Sequence, residues 1–116
     1  MNLQAADFDT FNAKANDAEA LLKALANRHR LMILCELHKG ERSVSALQQS
    51  VDLSQSALSQ HLARLREDGL VETRRDAQTI YYSIAQAAVT KVISTLYSIY
   101  CAPDKARAPA KRKSIK

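Results

Sequence analysis

At 116 residues the chain is long enough for one modest core and too short for two domains. No apolar run approaches the length of a membrane span and the opening "MNLQAADFDTF" is acidic and polar, unlike a signal peptide. A cytoplasmic protein with reduced thiols and no membrane partner is therefore expected. The net charge of +5 suggests a polyanion partner, yet residues 1–102 hold eleven basic and eleven acidic side chains and the excess lies in "PDKARAPAKRKSIK". With two prolines and little apolar content, residues 103–116 read as a basic, disordered tail beside one folded domain over 1–102. Such a tail adds at most a sequence-independent attraction to phosphate.

Two glycines and two prolines, with abundant Ala and Leu, favour helix. "AKANDAEALLKALA", residues 13–26, spaces Ala18, Leu21, Leu22 and Leu25 as the buried face of a first helix that extends back toward Ala5. Asn27 breaks and caps the chain. Residues 28–39 form a second helix with Leu31, Ile33, Leu34, Cys35 and Leu37 inward, stopped by Gly40. Ser43 caps a short helix, "VSALQQSV", that turns Val44, Leu47 and Val51 inward. After the tight turn "DLS", Ser54 caps "QSALSQHLARLRED", whose buried stripe is Leu58, Leu62 and Leu65 and whose end is Gly69.

The period then changes. "LVETRR" and "TIYYSI", rich in β-branched and aromatic residues, flank "DAQ" and read as a β-hairpin. Residues 86–101 return to helical spacing through Val89, Val92, Ile93, Leu96, Ile99 and Tyr100. Ile93, Leu96, Tyr97 and Tyr100 place more apolar surface on this last helix than one small domain covers. A homodimer built on the first and last helices is the expected way to bury it.

A short helix, a tight turn, a second capped helix and a two-stranded ribbon make a winged helix-turn-helix, a mainly α fold with a β-hairpin wing. The second helix of the pair shows Gln55, Ser56, Ser59, Gln60 and His61 opposite its leucine stripe. Gln pairs bidentately with adenine, and Ser and His donate to base edges. Arg64, Arg74 and Arg75 are placed to reach phosphates from the helix flank and the hairpin. A solvated polar face is the plain alternative, but such faces favour Lys and Glu over short uncharged side chains. Double-stranded DNA is the expected partner.

From about Ala18 to Cys101 the chain resembles the ArsR/SmtB family of dimeric bacterial repressors, through "LLKALANRHRLMIL", "LSQSALSQHLARLREDGLV" and "TRRDAQTIYYSI". The resemblance implies a winged-helix homodimer that binds an inverted-repeat operator and lets go when an inducer is sensed. It also implies that "SQSALSQHL" is the reading helix and Arg74 to Tyr82 the wing. The arsenic-sensing members carry a C-x-C motif where this chain has "ERSVSAL", with Ser43 and Ser45 at the thiolate positions. A hydroxyl is a poor substitute for a soft thiolate. The zinc-sensing members use Asp and His on the last helix, and residues 86–101 contain neither. No metal and no other cofactor is expected.

That leaves Cys35 and Cys101, 66 positions apart. They admit three readings. Free cysteines are often small buried hydrophobes. His38, three residues after Cys35, would permit a makeshift metal site with three ligands at best. Thirdly, "ILCEL" and "LYSIYC" resemble the sulfide- and persulfide-responsive subgroup of the family (BigR/SqrR/HlyU-like). That resemblance implies crosslinking of the two thiols within a protomer by reactive sulfur species, as a disulfide or a longer sulfur bridge. Cys35 on an apolar face and Cys101 at a helix C-terminus are both poorly activated, which fits slow reaction with peroxide and faster reaction with polysulfide. A metal- or peroxide-responsive repressor is the alternative within the family. A thiol enzyme would need an activated cysteine or a C-x-x-C pair, and neither is present. A winged-helix interaction module would not need the polar face at Gln55–His61.

Overall fold

The computed structural model describes residues 5–101, so the tail expected over 103–116 lies outside the described residues. In chain order the elements are α1 (Ala5–Ala13), α2 (Ala15–Leu25), α3 (Arg28–His38), β1 (Arg42–Ser43), α4 (Val44–Ser50), α5 (Gln55–Glu67), β2 (Val71–Asp76), β3 (Thr79–Ile84) and α6 (Ala87–Tyr100). This is a winged helix-turn-helix with a three-stranded antiparallel sheet in the order β1-β3-β2. None of the described helices is long and apolar enough to cross a membrane.

The helix starts follow from local chemistry. The side chains of Asn27, Ser43 and Ser54 accept from the backbone N–H groups of Arg30, Ala46 and Ala57, each closing an otherwise orphaned donor at the start of α3, α4 and α5. Ser43, which occupies a position of the arsenic-binding pattern, therefore has a structural task of its own. Gly69 stops α5 with φ +77, a conformation that costs a side-chain-bearing residue more than glycine. The Gln86 amide donates to the Gly69 carbonyl at 2.7 Å, tying the end of α5 to the start of α6.

One core serves the whole chain. Ile33, Leu34, Leu47, Leu58, Leu62, Leu65, Val89 and Ile93 are fully buried, and Leu25, Leu37, Leu70 and Val71 close around them. The stripe Leu58, Leu62 and Leu65 seats α5; at about 1.5–3 kcal/mol per buried side chain, it outweighs any propensity effect in that helix. Cys35, Val92, Tyr82 and Ile84 are half-buried at the margin of this core. α3 is the central strut, with α6 on one side and α5 and the sheet on the others.

Several expectations need correction. The first helix does not run through to Ala5 as one piece: the chain breaks at Lys14, leaving α1 and α2 as separate segments. Leu22 is 62% exposed and points away from the core, whereas Tyr97 and Tyr100 are exposed, as the expected outer apolar face of the last helix requires. Ile93, expected to contribute to an outer apolar face, is instead fully buried in the protomer. The hairpin acquires a third strand, because Arg42 and Ser43 pair with Tyr82 and Tyr81. Its loop is only Ala77–Gln78, since Asp76 pairs directly with Thr79, and Ala77 takes the positive φ of 59 that the short turn requires.

Candidate nucleic-acid interface and thiol pair

The turn between α4 and α5 is held from inside. The Gln48 side chain donates to the Leu53 carbonyl, so the short helix grips the entry to the longer one. With its leucine stripe buried and its first turn capped, α5 is left with Gln55, Ser56, Ser59 and Gln60 exposed in its N-terminal half. These are the side chains expected to read bases, and they share one open surface.

His61 is placed differently. It is half-buried, with its ring 5.8 Å from that of His29 at the start of α3. Burial lowers its pKa, and the charges of Arg30 and His29 add to the effect. Arg30 is fixed from the other side, donating to the Ala24 carbonyl at 2.7 Å. His61 thus sits at the edge of the polar face of α5, against α3. Nothing in the sequence around His29 announces this contact with α5; only tertiary packing shows it.

The three arginines differ from one another. Arg64 pairs with Asp68 one turn along α5, with Nε 3.1 Å from the carboxylate. Arg74 reaches back to Glu41, with Nε donating to Oε2 at 3.0 Å and Nη2 to Oε1 at 2.8 Å. Its guanidinium lies 4.7 Å from the centroid of the Tyr81 ring. For Arg75, at the outer end of β2, no such pairing is seen among the described residues. Glu41 was not among the expected site residues: it stands outside every helix and strand, and nothing in its sequence neighbours announces a partner 33 positions away. A shallow cleft of about 460 Å³ lies between α5 and the root of the wing, lined by Val44, Ser59, Leu62, Ala63, Arg66 and Tyr82 among others.

On the opposite flank, α3 and α6 bring the two cysteines to the same side of the molecule. Both are free thiols, Cys35 half-buried and Cys101 exposed. Burial pushes the Cys35 thiol above its ordinary pKa, and negative charge on Cys101 and Glu36 pushes it further, against a smaller opposing pull from Lys39. Cys101 closes α6, its backbone N–H donating to the Tyr97 carbonyl at 2.7 Å. Among the described residues no three His, Cys, Asp or Glu side chains are grouped so as to hold a metal ion, and His38 stands exposed at the end of α3.

Residues 21–73 match the family model described as bacterial regulatory protein, arsR family. The transcriptional activator HlyU of Vibrio cholerae is 48% identical over 101 residues, 85% of this chain and 94% of HlyU. The chain belongs to the ArsR family. Among solved ArsR-type structures, the transcriptional repressor BigR from Xylella fastidiosa superposes with a TM-score of 0.77 at 41% identity, covering 82% of this chain and 97% of BigR. The homodimeric winged helix-turn-helix DNA-binding domain Mb0332 from Mycobacterium bovis gives 0.67 at 33% identity, covering 85% of this chain and 89% of that domain. As an ArsR-family member the protein is a transcription regulator of the winged-helix type.

Proposed function

We propose that the protein is a dithiol-based transcriptional repressor, homodimeric, which holds an inverted-repeat operator when reduced and releases it when reactive sulfur links Cys35 to Cys101. The observation that carries this reading is the placement of two free thiols on helices that pack against each other. Residues 66 positions apart end on two packed helices, near enough for the charge of one to shift the proton affinity of the other. Core filling accounts for a half-buried Cys35 but not for an exposed Cys101. The similarity to BigR, a repressor, supports the same direction; the similarity to HlyU, an activator by name, leaves the sign at a given promoter to operator position.

In this reading Gln55, Ser56, Ser59 and Gln60 meet base edges, with His61 at the margin, while Arg64 and Arg75 serve the backbone side of the contact and Arg74, expected to join them, is held on Glu41 within the wing. The second copy covers the exposed apolar side chains of α1, α2 and α6. Two reading helices must stand about 34 Å apart to enter successive major grooves, so a small rotation of α3 against α6 is enough to spoil the fit. A direct disulfide needs Cα atoms within about 7 Å, whereas inserted sulfur atoms bridge a wider gap.

Operator binding by wild type, Cys35→Ser and Cys101→Ser, each before and after polysulfide, peroxide and zinc, tests the proposal. Both variants are expected to bind operator and to ignore polysulfide. Wild type should lose roughly 5- to 150-fold in affinity, a typical allosteric coupling. A single-cysteine variant that still responds normally would sink the crosslink, and release by zinc would favour the metal-responsive alternative.

A further inference from the structure

The wing contains a contact that the DNA-facing reading does not use. Arg74 stands directly opposite Tyr81 in the β2–β3 register, and Tyr81 in turn stands opposite Ser43 of β1. From β2 the guanidinium passes over the Tyr81 ring on β3 and closes a two-point fork on Glu41, the residue just before β1. One side chain therefore ties β2 to β3 and to the segment that leads into β1. A planar guanidinium suits this place because it can stack on a ring and fork onto a carboxylate at once, which a lysine ammonium cannot do. The fork holds the Glu41 carboxyl below its ordinary pKa, so the pair is charged throughout the neutral range.

We infer that Arg74 is a wing-positioning residue that acts through Glu41 and Tyr81, and not a phosphate ligand. The Nε–Nη2 edge of its fork is committed to Glu41, one face of its plane lies over Tyr81, and Nη1 stands 4.0 Å from the Asp76 carboxylate, while its neighbour Arg75 has no pairing among the described residues and is the wing cation open to a phosphate. The contact has a second meaning through Glu41. That residue follows Gly40, which follows the C-cap of α3, so the latch fastens the wing to the end of the helix that carries Cys35. The orientation of the wing is thereby set by α3 and not by the hairpin alone.

The inference rests on the wing being part of the DNA interface, so its test has one arm with DNA and one without. On operator DNA, Glu41→Gln and Arg74→Gln are each expected to weaken binding by roughly 2- to 5-fold, with the double variant no worse than either single. The paired reversal Glu41→Arg with Arg74→Glu should recover affinity that each reversal alone loses. Arg74→Gln should leave the slope of log affinity against log salt unchanged, whereas Arg75→Gln should flatten it by about one counterion. In the free protein, Glu41→Gln should speed amide hydrogen exchange where β1 pairs with β3. A phosphate ligand predicts the reverse: Glu41→Gln would tighten binding by removing a competing carboxylate, and Arg74→Gln would flatten the salt slope. Either result overturns the inference, as would unchanged exchange in the free protein. A protein that binds no DNA at all would refute the interface reading, while the exchange arm would still decide the latch.

Discussion

The two flanks of the protomer are finished to different degrees. Around α5 every leucine of the stripe is sealed, the caps are closed, and the charged side chains Arg64 and Arg74 have partners within the chain. Around α1, α2 and the end of α6 the opposite holds: Phe8, Phe11, Leu22, Tyr97, Ile99 and Tyr100 are all at least half exposed, reaching 75% at Tyr100. The contrast teaches that one flank is complete as a single chain, while the other carries apolar area that a lone protomer leaves in water. A surface of that kind marks an interface, and a second copy is the occupant proposed for it.

The sharpest way to break the comparison is to truncate one side chain from each flank. Leu62→Ala should cost about 2–5 kcal/mol in chemical denaturation, since it opens a cavity under the reading helix. Tyr100→Ser should leave the denaturation of a dilute protomer nearly untouched and weaken self-association in sedimentation equilibrium. If Tyr100→Ser unfolds the chain as Leu62→Ala does, the exposed flank is part of the protomer's own core and the contrast fails.

A smaller effect is expected on the polar face. Gln60→Ala or Ser56→Ala should lose roughly 1–3 kcal/mol at the operator and relax sequence preference without altering fold stability. A Gln60→Ala protein that binds operator and random DNA as the parent does would move the reading surface elsewhere on the finished flank.

The finest test lies at the thiol. A raised pKa means a smaller thiolate fraction at neutral pH, so alkylation of Cys35 should be slow there. Its rate should still be climbing with pH where a free thiol, with pKa near about 8.5, has levelled off. Cys101→Ser removes the charge of the neighbouring thiolate but not the burial, which is the larger cause. The midpoint of the rate profile should therefore fall only part of the way toward the free-thiol value. A return to the free-thiol profile would mean that Cys35 is not desolvated, and no change at all would mean that the two thiols do not sense each other.

Much of this architecture was legible in the residues because it is written locally. Ser43 and Ser54 announce helix starts, Gly69 an end, and Leu58, Leu62 and Leu65 a buried stripe; each is a short-range signal with one physical solution. What the sequence hid is long-range. Two residues of strand at Arg42 and Ser43 carry no period to detect, and the Glu41–Arg74 fork joins positions that only the sheet brings together. The same holds for His29 against His61. Leu22 and Ile93 misled for a different reason: helical spacing says that a face is apolar, not whether the core or another molecule covers it. The cysteines were legible as a pair only through resemblance, since neither has an activating neighbour in sequence.

α3 touches everything that matters here: α6 with its thiol, the reading helix through His29 and His61, and the wing through the segment ending at Glu41. A helix shared in this way cannot transmit in one direction only. If bridging Cys35 to Cys101 weakens the hold on DNA by some factor, then at equilibrium DNA must weaken the tendency to bridge by the same factor. The copies seated on the operator would thus be the least inclined to convert, and the unseated pool would register a sulfur pulse first. Promoter response would then depend on how many spare copies a cell keeps, a quantity set by expression level and not by the chemistry of either thiol.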